Sequence, residues 1–249
     1  MNAVLRIALL LASGSLAGCF GAASVSPYAG ALTAEPVSIE AVDRAFEQET
    51  PDEYASAPVA GEDYDAIYAA SFDEGHEVRS FDWRSADPRY LRQNVDWYGS
   101  EAPGTIVIDI DNRFLYLVEP GRRAVRYGIA VGKEGFGWTG TTKLARKATW
   151  PRWFPPAAMI ERKPELEEFR NGMDGGPQNP IGARALYLHQ GGKDTLYRIH
   201  GTDKPWSIGR AASSGCFRMI NQDVIDLYSR VGTGGQVIVR HSAADLASL

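Results

Sequence analysis

The chain has 249 residues, 44% of them apolar, and a formal net charge of −5, enough for the packed core of one large or two small domains. Nowhere does it hold the run of roughly 18–20 apolar residues that a membrane-spanning helix needs. Its 2 cysteines and 4 histidines show no paired spacing, so no metal site is expected. Neither a cofactor nor a nucleic acid partner is expected.

The N-terminus reads as an export signal: Arg6 gives a short positive region, Ile7 to Ala12 an apolar one, and Leu16-Ala17-Gly18-Cys19 follows. That tetrapeptide resembles the lipobox of bacterial lipoproteins. The resemblance implies a signal peptide over 1–18, a lipid anchor on Cys19, and residence on the periplasmic face of a bacterial membrane. The alternative is an ordinary signal cut near Gly21 to Ala23, with Cys19 discarded.

Residues 19–80 are rich in Ala, Ser, Pro and acids and lack apolar periodicity, so an acidic, mostly disordered tether is expected there. Between Glu35 and Glu77 stand 13 acidic residues and a single basic one, Arg44, a local charge of −12 that leaves +7 on the rest of the chain. Within this stretch Ser38 to Gln48 is a candidate short helix with Ser38 as its cap. Ser80 to Ser100 carries Trp83, Tyr90, Trp97 and Tyr98 and is expected to lie against the folded domain, which takes up 81–249 with its core over about 103–241.

Thr105 to Ile110 and Phe114 to Val118 are β-rich runs around Asp111-Asn112-Arg113, the composition of a hairpin. Ala124 to Val131, Lys143 to Trp150, Arg184 to His189, Leu196 to His200 and Gln236 to Arg240 bring the expected strands to seven. Between the fourth and fifth lies a long excursion, Pro151 to Pro180, with short helices expected at Ala157 to Arg162 and Glu165 to Arg170. It reads as a lid, or else as a static surface loop. A last helix is expected over Asp223 to Val231 with Asn221 as its cap.

The chemistry gathers between Arg198 and Met219. Either reading of Cys19 leaves Cys216 without a disulfide partner in an exported protein. A small buried apolar side chain is one account of such a residue, but Ser213, Ser214, Gly215 and Arg218 are poor core neighbours, which favours a nucleophile. The Gly215 and Cys216 amides are candidate oxyanion donors. His200, 16 positions earlier, is the candidate base; Gly201 offers no side-chain acceptor, so a backbone carbonyl is expected to hold the second ring nitrogen. The planar fork of Arg218 suits a carboxylate. Tyr187, Trp153 and Trp206 are candidates for cleft walls, although such aromatics more often fill cores. His76 and His241 are expected to be solvated, and His189, at the end of a strand running near His200, to be structural or exposed, with a substrate contact as the alternative.

His200-Gly201, Ser207-Ile208-Gly209 and Ser213-Ser214-Gly215-Cys216-Phe217-Arg218-Met219 resemble the signature of the L,D-transpeptidase catalytic domain (YkuD-like) family: a histidine, a spacer, then Ser-His-Gly-Cys-x-Arg. The likeness extends through Thr105 to Val118, Trp150 to Pro156 and Asn179 to Leu188, about residues 100 to 241. Ser214 stands where many members carry a second histidine. The resemblance implies a mainly β fold, a β-sandwich catalytic domain with a helical lid insertion and one C-terminal helix. Cys216, His200, Gly215 and Gly201 would be catalytic, and Arg218, Ser213, Ser214, Tyr187 and Trp206 would meet the substrate. The implied substrate is the peptidoglycan stem peptide, attacked by Cys216 between its third residue, diaminopimelate, and its fourth, D-Ala. The acyl group passes to an amine of a second stem or of a protein, such as an outer-membrane protein. Transfer to water would make the chain a carboxypeptidase, and a non-catalytic wall-binding lipoprotein is the alternative of another class.

Overall fold

The computed structural model describes residues 62–132, 137–212 and 217–242. The expected signal peptide, Cys19, the helix at 38–48 and the tetrapeptide 213–216 lie outside the described residues.

The expected tether through residue 80 is too long, because the chain is structured from Glu62 onward. The side chain of Asp63 accepts from the Ala66 amide (3.0 Å) and caps a one-turn helix, α1 (Tyr64–Ile67). A small hairpin follows, β1 (Ser71–Asp73) and β2 (His76–Val78), turned by Glu74 and Gly75, both at positive φ. Tyr64 and Tyr68 pack with Leu91 and Ile220, and Val78 with Trp150 and Ala183. This arm reads as tether because one turn of helix and two three-residue strands are too short to establish a period. Its acids are also not all solvated: Asp73 pairs with Arg184 on the body of the domain.

The seven expected strands are present. β4 (Ile106–Asp109) and β5 (Phe114–Glu119) form the hairpin, whose turn is held by the Asp109 carboxylate accepting from the Asn112 amide (3.1 Å) and Nδ2 (2.8 Å). The third run breaks at Ile129 into β6 (Arg123–Gly128) and β7 (Ala130–Gly132). β8 (Gly140–Thr149), β9 (Arg184–Gln190), β10 (Lys193–His200) and β13 (Gln236–Arg240) complete the set. β3 (Gln93–Asp96) and the two-residue strands β11 (Ala211–Ala212) and β12 (Phe217–Arg218) add to it.

Among the described residues these strands form one sheet in the order β11-β7-β12-β10-β9-β8-β13-β4-β5-β6-β3. β6 and β7 are separated by one residue yet lie near opposite ends of that order, so the sheet must curl back on itself. The curl encloses an interior that includes Ile108, Leu115, Val125, Val131, Leu144, Leu186, Ile199, Phe217 and Val237. The architecture is the expected mainly β, sandwich-like one.

The helix α3 (Asn221–Arg230) adds Val224 and Leu227 to this interior. Asn221 does not cap it as expected; Ile220 holds that position without a side-chain bond. Asn221 instead bridges two loops, its Oδ1 accepting from the Ala183 amide and its Nδ2 donating to the Thr202 carbonyl, both at 3.0 Å. The excursion is helical as expected, with α2 (Ala157–Arg162) followed by a 3-10 helix, Pro164–Phe169. Its two limbs are tied at the base by the Trp153 and Met173 backbones, and by Asn179 Nδ2 donating to the Pro151 and Asp174 carbonyls.

Candidate active site

His200 is the last residue of β10, antiparallel to β9 with Ala185 opposite and parallel to β12 with Arg218 opposite. A parallel neighbour requires a long crossover, and the stretch between the two strands supplies it. β11 and β12 lie on either side of β7. The residues flanking 213–216 are therefore fixed on both sides, and Phe217, the residue after Cys216, pairs with Ile199. Strand alternation does the rest: Ile199 and Phe217 enter the interior, so His200, Arg198 and Arg218 share the other face.

His200 is 7% exposed, and its Nδ1 lies 2.6 Å from the Gly201 carbonyl. The neutral ring donates Nδ1–H there, which leaves Nε2 with its lone pair. Burial pushes the imidazole down to about 4, and the nearby Arg218 and Arg198 push the same way, against the Gly201 and Ile181 carbonyls. At neutral pH the ring is uncharged and able to accept a proton.

Gly201 earns its place sterically as well as through its carbonyl. A Cβ there would collide with Asn221 Oδ1 and crowd the Ala183 nitrogen (3.0 Å) and Val224 Cγ1 (3.2 Å). Gly209, at φ +78°, lies against the ring of Tyr90 in the same way.

The other candidates divide. Arg218 is half-buried beside His200. Tyr187 is half-buried on the His200 face, one cross-strand pair away, opposite Arg198. Trp206 is 65% exposed in the turn Pro205–Ser207 and has no ring partner among the described residues. Trp153 is buried at the base of the excursion and belongs to the core. His189 is half-buried, opposite Lys143 and Asp194. His76 is only half-exposed, its ring 4.7 Å from that of Trp150. His241 likewise has a partner, with Nδ1 2.8 Å from Asp111. Cys216, Gly215, Ser213 and Ser214 lie outside the described residues. No group of three or more metal-ligating side chains occurs among the described residues. A cavity of about 400 Å³ opens between Arg79, Phe169, Met173 and Asn179, lined by none of the candidate residues.

A family model described as the L,D-transpeptidase catalytic domain, YkuD, matches residues 103–239. The chain belongs to this family. The Escherichia coli protein named probable L,D-transpeptidase YbiS is 32% identical over 139 residues, which are 54% of this chain and 43% of the relative. The chain thus spans less than half the length of that curated relative. A Fuscovulum blasticum protein named putative L,D-transpeptidase in ATP synthase subunits region ORF 5 is 33% identical over 167 residues, 63% of this chain and 84% of the relative. A crystal structure from Brucella melitensis, named a probable carnitine operon oxidoreductase caia, is 56% identical over 64% of this chain and 99% of that one, with a TM-score of 0.44. The L,D-transpeptidase 3 structure from Mycobacterium tuberculosis is 15% identical, covers 55% of this chain and 60% of that one, and has a TM-score of 0.39.

Around the matched core, this L,D-transpeptidase-family domain makes side-chain contacts that the sequence alone did not show. Arg146 and Arg198 both lean on the Tyr187 ring. Asp73, from the supposed tether, accepts from Arg184 and from Trp150 Nε1 at the root of the excursion. The residues lie far apart in sequence, and only the strand register of β8, β9 and β10 or the fold of the arm brings them together.

Proposed function

We propose that this chain is a peptidoglycan L,D-transpeptidase in which Cys216 is the nucleophile and His200 its base. The observation that carries the reading is the state of His200. It is buried, neutral and locked through Nδ1 to a backbone carbonyl, at the end of a strand whose parallel neighbour starts one residue after Cys216. Membership of the family supports it.

On this reading Nε2 takes the thiol proton as sulfur attacks the carbonyl of the third stem residue. The Gly215 and Cys216 amides meet the developing oxyanion. As the intermediate collapses, the C–N bond to D-Ala breaks and His200 returns the proton to the departing amine. A thioester remains on Cys216. An acceptor amine then attacks it, His200 takes the proton of that amine, and the thiol is restored. Arg198 and Arg218, which disfavour a protonated His200, favour the thiolate for the same Coulombic reason.

The acceptor is a second stem's diaminopimelate or a protein amine, and the chain acts from the periplasmic face, anchored at Cys19; the Leu16-Ala17-Gly18-Cys19 run supports this. Incubation with tetrapeptide muropeptides, read by mass, tests the reaction: cross-linked dimer and free D-Ala are expected, with both lost in Cys216→Ala and in Cys216→Ser. Turnover surviving in the alanine variant would remove the mechanism. Release of a Cys19→Ala variant into the soluble fraction tests the anchor, and retention on the membrane after a high-salt wash would remove it.

A further inference from the structure

Tyr187 lies between two guanidinium groups. Arg146 Cζ is 3.4 Å from its ring centroid and Arg198 Cζ is 4.5 Å away. The three residues form one row across β8, β9 and β10, since Arg146 and Arg198 each pair with Tyr187. The adjacent row runs Ala148, Ala185, His200, Arg218. Two residues along a strand separate the rows, about 7 Å, and both face away from the interior.

Arg146 reaches this face through an irregularity. Leu144 and Arg146 are two apart and would share a side in a regular strand, yet Leu144 is in the core. The register shift between them turns Arg146 outward. Lys147, the next residue, points to the helix side, where Nζ donates to the Tyr228 and Val231 carbonyls.

The charges on the row do not balance. Arg198 is met by both oxygens of Asp194, at 2.7 and 2.8 Å. Arg146 is exposed and has no ion-pair partner among the described residues. Contact with the Tyr187 ring restrains its guanidinium, and an exposed guanidinium so held can meet a carboxylate through two parallel bonds.

We propose that Arg146, oriented by Tyr187 and backed by Arg198, reads a non-reacting carboxylate of the stem peptide, placed about 7 Å along the strand from the His200 row. This rests on the stem-peptide reading above and deepens it. Two carboxylates qualify chemically: the distal one on diaminopimelate and the α-carboxylate of the D-glutamate before it. The terminal carboxylate of D-Ala departs with the leaving amine and cannot hold the acyl-enzyme in place, so the proposal is confined to the two that stay.

Binding to the full-length Cys216→Ala protein tests this without turnover. The probes are three synthetic tetrapeptide stems: unmodified, amidated at diaminopimelate, and amidated at D-glutamate. One amidation is expected to weaken binding about tenfold, the scale of a charge-assisted hydrogen-bond pair, and the other to leave it unchanged, which identifies the carboxylate. Adding Arg146→Gln should weaken the unmodified stem by the same factor and abolish the difference between stems, while Arg146→Lys restores part of it. Equal affinity for all three stems in the Arg146-containing protein, or an equal loss for all three on Arg146→Gln, would overturn the proposal. Absence of D-Ala release by the wild type would instead sink the reaction reading, while the binding comparison still decides the subsite.

Discussion

Replacing Asp73 by alanine should show that the acidic arm is part of the fold. Asp73 accepts two bonds from Arg184 (2.7 and 2.8 Å) and one from Trp150 Nε1 (2.8 Å). The Arg184 side chain is 7% exposed and that of Asp73 22%. Without the carboxylate, Arg184 keeps the Ala183 carbonyl and the face of Tyr228, but stays a buried cation with no counter-charge. Breaking a buried pair from one side costs about 3–5 kcal/mol, and the partial exposure of Asp73 argues for the lower end, about 3 kcal/mol. For a domain of this size that corresponds to about 6–12 °C in melting temperature. The assay is thermal unfolding by circular dichroism at pH 7. The control is Asp65→Ala, whose pair with Arg84 has the same 2.7 Å contact but side chains 63% and 64% exposed, and where no measurable shift is expected. Arg184 holds the Asp73 carboxyl below its ordinary 3.8. The stability it adds is therefore present above that value and fades as pH falls below it, and the variant should converge on wild type in strong acid. If Asp73→Ala melted within the error of Asp65→Ala, the arm would be an ornament on the surface and the argument would be wrong.

The pH dependence of His200 gives a second test. Burial pushes it down to about 4, so the acid limb of the alkylation rate of Cys216 should fall near that value; a limb near 6.5 would show a solvated imidazole. The unfolded chain binds this proton at 6.5 and the folded chain only near 4. Stability to urea should therefore decline as pH drops through that window, and His200→Gln should flatten the slope. Gly201→Ala should cost about 1–3 kcal/mol by overpacking, with activity lost because the Asn221 bridge must shift; an unchanged urea midpoint would refute the clash. Replacing Met159 to Gly172 with a Gly-Ser linker should shift products from dimer toward trimmed tripeptide, if that segment keeps water from the thioester. A proportional loss of both products would make it part of the donor site or of the fold.

The core of the domain was legible because its strands are long enough to declare a period. Phe114 to Val118 and Gln236 to Arg240 were read almost to the residue. The helix at Asn221 was legible from Val224 and Leu227, but its cap was not: a single asparagine has two uses, and the loop carbonyl and amide won it. β11 and β12 were invisible because two residues have no alternation. Arg146 depends on a bulge, which no local pattern announced. That a backbone carbonyl holds the second nitrogen of His200 was legible, since Gly201 has no side chain to offer; that it is Gly201's own was not.

β13 lies between β4 and β8, parallel to the first and antiparallel to the second. Among the described residues it is also the most C-terminal strand. Until residues 236–240 arrive, β4 and β8 each present a bare edge, and the interior that draws on both sides of the gap cannot be sealed. Each pairing then closes over about 90 to 130 residues of intervening chain, the kind of non-local contact whose loop-closure entropy slows folding. A chain cut short of Gln236 would hold those edges open, so the sheet that carries His200 closes only once residues 236–240 have been made.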